Sequence, residues 1–88
     1  MPRTLFPVAE YYADHVLEGT TLSRNGGWWS AVLLIRDPKT SQPFLSLYRW
    51  ELVEGVWKNR KSFVIRDQAA VDKMVSALSE FKSKLPGK

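Results

Sequence analysis

With 88 residues, 44% of them hydrophobic and 25% charged, the chain has enough apolar content for one small folded domain and too much for intrinsic disorder. It contains no cysteine, which excludes a disulfide framework and any thiolate metal site. Its longest apolar run, Ala31 to Ile35, is far too short to cross a bilayer as a helix, and the first residues hold no apolar stretch of secretion-signal length.

Taken in order, the chain predicts the element sequence helix, four strands, helix. Pro7 suits a first helical position, and Val8, Tyr11, Tyr12, His15 and Val16 follow at helical spacing, so a helix is expected over about 7 to 18 with Gly19 as its stop. Thr20 to Arg24 reads as a short strand, and Asn25-Gly26-Gly27 as a hairpin turn. Trp28 to Arg36, WWSAVLLIR, is a strand whose near-continuous apolar content fits a central position. After a loop from Asp37 to Pro43, the stretch FLSLYRWELVEGVWKNRKSFVIR, Phe44 to Arg66, reads as two antiparallel strands joined at Val53-Glu54-Gly55. Asp67 then caps a final helix, in which Val71, Met74, Val75, Leu78, Phe81 and Leu85 recur at spacings of three and four and which stops before Pro86-Gly87. The expected fold is α+β over residues 1–88: a four-stranded antiparallel meander with an N-terminal helix and a C-terminal amphipathic helix.

Charge is spread unevenly over this order. Residues 1–23 carry one Arg against three acids, residues 24–66 eight Lys/Arg against three, and residues 67–88 four Lys against three, so the net +4 is the sum of −2, +5 and +1. Positive charge therefore concentrates in the expected sheet, where it would meet phosphates.

Strand alternation decides which side chains share a face. On the first strand of the 44–66 hairpin, Phe44, Ser46, Tyr48 and Trp50 take one side, and Leu45, Leu47, Arg49 and Glu51 the other. Counted straight through, the second strand groups Trp57, Asn59, Lys61, Phe63 and Ile65 against Lys58, Arg60, Ser62, Val64 and Arg66. The final helix needs an apolar face to cover, and Leu45, Leu47, Phe63 and Ile65 are the candidates. Phe44, Tyr48, Trp50, Lys58, Arg60 and Arg66 would then share the face left open. Trp29 and Trp57 are read as core. Trp28, Tyr48 and Trp50 are read as stacking rings, with Arg24, Arg36, Lys58, Arg60 and Lys61 following a phosphate backbone. Rings beside cations on an open sheet suit a flexible, base-bearing polyanion.

Catalysis has no comparable signature. His15 is the only histidine and lies beside tyrosines. Ser30, Ser46 and Ser62 fall on strands with no histidine placed to activate them, and neither a phosphate-cradling glycine loop nor a metal-ligand cluster is present. No enzyme activity, cofactor or metal is expected.

The block from Ala31 to Leu78, through FLSLYRWEL, the acidic turn with Gly55, and NRKSFVIR leading into a capped helix, resembles the single-stranded DNA-binding fold of the transcriptional positive cofactor four group and the Whirly superfamily. It is similar in element order to the ThermoDBP family of thermophilic archaea, single-stranded DNA-binding proteins with a helix, a four-stranded sheet bearing an aromatic cleft, and a C-terminal helix. The resemblance implies that Tyr48 and Trp50 are the aromatic pair and Arg60-Lys61 the basic step. It lacks the long C-terminal zipper of that family's full-length members, so a dimer would need another interface. The expected function is binding of single-stranded DNA, with RNA as a second candidate, with little sequence preference, by a cytoplasmic or nucleoid-associated homo-oligomer. The alternatives are a small chromatin protein on duplex DNA and a protein-interaction or assembly module.

Overall fold

Alternating apolar and polar residues, punctuated by paired turn residues, give four strands in the computed structural model, which describes residues 5–86. They are β1 (Val16–Asn25), β2 (Trp28–Arg36), β3 (Pro43–Val53) and β4 (Val56–Ile65), and a helix, α1 (Gln68–Lys82), follows. All neighbours pair antiparallel in the order β1-β2-β3-β4, so the α+β meander is as expected. Gly26 and Gly27 link β1 to β2, and Glu54 and Gly55 link β3 to β4, each pair at positive φ. Two positive-φ residues give the turn a twist that matches its flanking strands, which is why glycine recurs there.

The expected N-terminal helix over 7–18 does not form. Only Glu10–Tyr12 make a single 3-10 turn, and β1 begins at Val16, four residues before the anticipated strand. The helical spacing of Val8, Tyr11 and Tyr12 instead belongs to an irregular segment laid across the sheet. A lone helix of that length is marginal in water, and here the tertiary contacts favour extended chain from Val16 onward. Gly87, part of the expected helix stop, lies outside the described residues.

The core is built on one face of the sheet. Trp29, Ala31, Leu33 and Ile35 of β2 pair across to Trp50, Tyr48, Ser46 and Phe44 of β3; all are buried except Tyr48, which packs against them. Phe6, Val8 and Tyr12 close over this row. The Phe6 ring sits 5.5 Å from Trp29 and 6.2 Å from Trp50, and Tyr12 meets Phe44 edge-on. Gly19 is therefore a strand residue rather than a helix stop. A Cβ at this position would lie 2.5 Å from Phe6 Cε2 and 2.6 Å from Leu33 Cδ2, so the absent side chain is what lets the aromatic lid seat.

The face assignment expected from alternation is thereby reversed. The aromatic side is covered, by the N-terminal segment, and the aliphatic side is open, because α1 does not lie across it. None of the α1 residues is buried. Only its first turn approaches the sheet, where Gln68 and Val71 border a hollow lined by Leu34, Leu45 and Ile65. Asp67 caps α1 as expected, accepting from the Ala70 N–H at 2.7 Å.

A second correction comes from β4. Lys61 pairs with Arg49, but Asn59, not Arg60, pairs with Trp50, so the ladder shifts by one residue at Arg60. This bulge inverts the alternation partway along the strand. Trp57 falls on the covered face, against Trp29, whereas Lys58, Lys61, Phe63 and Ile65 fall on the open one.

Candidate nucleic-acid interface

On the open face, side chains stand in rows across the sheet, about 7 Å apart because every second residue of each strand contributes. The row nearest the two tight turns is Lys58, Glu51 and Trp28; the next is Lys61, Arg49 and Ser30. Beyond them come Phe63, Leu47, Val32 and Thr20, then Ile65, Leu45, Leu34 and Glu18. The face thus divides into a basic half and an apolar half.

Several cations converge in the basic half. Arg49 lays its guanidinium 4.2 Å from the centre of the Trp28 ring, an attraction of about 0.5–1 kcal/mol at an exposed site. Arg60 donates Nε–H to Glu51 Oε1 at 3.0 Å. The pair is largely exposed, so it orients the guanidinium more than it stabilises the fold. Lys58 and Lys61 are exposed and enter no ion pair among the described residues. Four cations against the single acid Glu51 leave this half of the face positive, and the guanidinium-on-indole platform offers a flat surface on which a base can stack.

The eight predicted site residues do not form one cluster. Trp28, Lys58, Arg60 and Lys61 come together on the open face. Arg24 lies over the other face, its guanidinium 4.0 Å from the Trp29 ring and 5.4 Å from Trp57. Arg36 stands at the far end of β2 and donates to the Ser41 carbonyl at 3.0 Å. Tyr48 stacks on Trp50 at 5.1 Å with a 5° interplanar angle, both on the covered face. Trp50 is fully buried and presents no ring to any ligand of the monomer. Trp50 does not line an open cleft, because the Phe6 ring lies over it; Tyr48 is half-buried beside it. Arg66 likewise turns to the covered face, 4.8 Å over Phe44.

Arg49 and Phe63 are the additions that sequence reasoning misses. Arg49 is legible as an open-face residue only once Trp28 is known to share its side, and that requires the register between the two central strands. Alternation puts Phe63 under the final helix, yet it is 57% exposed.

Burial raises the Tyr48 phenol above its ordinary value of 10.0; a hydrogen bond with Ser46 opposes the shift, and the nearby Tyr12 adds to it. The folded state therefore keeps this proton longer than the unfolded chain does. The associated stability is complete below pH 10 and is lost as pH climbs above it through the folded value. Urea midpoints measured from about pH 9 to 11 should fall more steeply for the wild type than for Tyr48→Phe, which removes the titrating group.

Among the described residues no cluster of His, Asp or Glu could hold a metal ion, and no helix is long and apolar enough to cross a membrane. No protein-family model, curated protein or solved structure matches the chain.

Proposed function

We propose that this chain is a non-enzymatic module that binds single-stranded nucleic acid along the basic half of its open sheet face. One observation carries the reading: Trp28, Arg49, Lys58 and Lys61 occupy two successive rows of a surface that no other element covers among the described residues. Successive phosphates would run along Lys58, Lys61 and Arg60, and a base would stack on the Arg49–Trp28 platform. Neither contact reads base edges, so little sequence preference follows. The ligand class is the one implied by the resemblance to the ThermoDBP family, but the residues differ: the Trp28 platform takes the role that the resemblance gives to Tyr48 and Trp50.

Tryptophan fluorescence titrations with oligo-dT, single-stranded RNA and duplex DNA at several salt concentrations test this. Replacing Lys58 and Lys61 together by alanine should flatten the dependence of log affinity on log salt by about 1.4, at about 0.7 for each phosphate of a single strand that is no longer neutralised. Trp28→Ala should weaken binding by about 1–3 kcal/mol and leave that slope nearly unchanged. Equal affinity for single and double strands, or no binding at low salt, would reject the proposal. Preference for duplex accompanied by bending would favour the chromatin alternative instead.

A further inference from the structure

The apolar half of the open face and the apolar stripe of α1 are two unmatched surfaces on one small chain. Val75, Leu78 and Phe81 of α1 are each between 54% and 62% exposed, far more than apolar side chains at regular helical spacing usually are, and Leu85, just past the end of the helix, is 69% exposed. A helix of 15 residues gains most of its stability from packing such a stripe. Beyond its first turn, where Val71 borders the Leu34, Leu45 and Ile65 side chains, the helix runs clear of the apolar rows of its own sheet; only Arg66 and Asp67 separate it from β4. Asp67 is extended, at φ −132 and ψ 157, and is tied to the first turn by its cap.

We propose that α1 of one copy docks across the Phe63–Leu47–Val32 row and the adjoining Leu45 and Leu34 side chains of a second copy, and that the exchange is reciprocal about a two-fold axis. Dimensions agree: the helix is about 22 Å long at 1.5 Å per residue, and four strands at about 4.8 Å spacing present a width of about 14–19 Å. The helix stripe and Phe63, each more than half exposed, supply most of the accessible apolar area, and the half-buried Leu47, Val32, Leu45 and Leu34 add to it, toward the roughly 800 Å² per protomer of a stable pairwise interface.

Charge selects the occupant. With 100° between successive helical residues, Lys82 is the charged α1 residue that falls within the stripe, about 40° from Leu78, and Glu18 is the charged residue within the apolar rows. They carry opposite signs, so a second copy supplies its own complement. Such a contact leaves the basic half uncovered. It needs no nucleic acid, so it stands or falls separately from the ligand reading above.

The test is the solution mass of the full chain by analytical ultracentrifugation without nucleic acid. Wild type should sediment as a pair of 10.1 kDa chains. Leu78→Glu with Phe81→Glu should weaken association by about 30-fold or more and retain the strand circular dichroism signal, since the monomer core uses neither residue. Glu18→Lys and Lys82→Glu should each weaken the dimer, and their combination should restore it. Because the chain has no cysteine, Leu78→Cys and Leu47→Cys chains mixed under mild oxidation should form the mixed disulfide in preference to either self-linked product. A wild type that stays monomeric at high concentration overturns the proposal. So does a dimer indifferent to Leu78 and Phe81, or one in which Leu78→Cys links mainly to itself, the mark of helix-on-helix packing.

Discussion

Trp50→Ala is expected to destabilise the chain by about 3–5 kcal/mol, the usual cost of emptying a large aromatic site in a core. A domain of this size has a total stability near the lower end of about 5–15 kcal/mol, so much of the variant should be unfolded at 37 °C. The cause is the position of the indole, fully buried between Trp29 and Tyr48 under Phe6. Its Nε1–H has no hydrogen-bond partner among the described residues, a defect of about 1–3 kcal/mol. Trp50→Phe discards that orphaned donor along with some packing volume and should cost much less than the alanine. Urea denaturation would show both effects as shifted midpoints at constant m. If Trp50→Ala kept the wild-type midpoint while losing affinity for oligo-dT, Trp50 would be a ligand-contacting ring after all and the covered face would be misassigned.

The second large effect is a coupling. Gly19→Ala should cost about 1–3 kcal/mol as an overpacking defect, because the added methyl meets the Phe6 ring and the Leu33 side chain. Phe6→Ala should also destabilise, by uncovering Trp29 and Trp50. Introduced together, the two changes should fall short of their sum by at least about 0.5 kcal/mol, since the smaller side chain at position 6 removes one of the two clashing partners. Additive costs would mean that the lid does not rest over Gly19 in solution.

Much of the sheet can be read directly from the chain, because β2 and β3 carry strong local signals: a dense apolar run, strict alternation and glycine-bearing turns. The cap and stripe of α1 are equally plain, since both depend on nearest neighbours along one helix. What cannot be read is which face is covered. That outcome rests on long-range contacts of an irregular segment, Phe6 to Ala13, whose Pro7 and helical spacing of Val8, Tyr11 and Tyr12 mimic a helix start. The burial of Trp50 and the exposure of Phe63 both follow from that one choice. Trp29 is in the core as its sequence context implies, and Lys58, Arg60 and Lys61 form a basic cluster, because composition alone marks them. Their company differs from expectation: they stand with Trp28 and Arg49, not with Tyr48 and Trp50.

The extra residue at Arg60 carries a consequence for how this chain tolerates change. In a pleated strand, parity determines inside and outside, and the bulge is the point where parity is reset between Trp57 and the segment from Lys61 onward. Substitutions along β4 alter one side chain at a time. Loss or gain of a single codon between Trp57 and Lys61 would instead transpose a whole half-strand, bringing lysine under the aromatic lid or turning the indole out to water. Length in that short interval is therefore under tighter constraint than the identity of any residue within it.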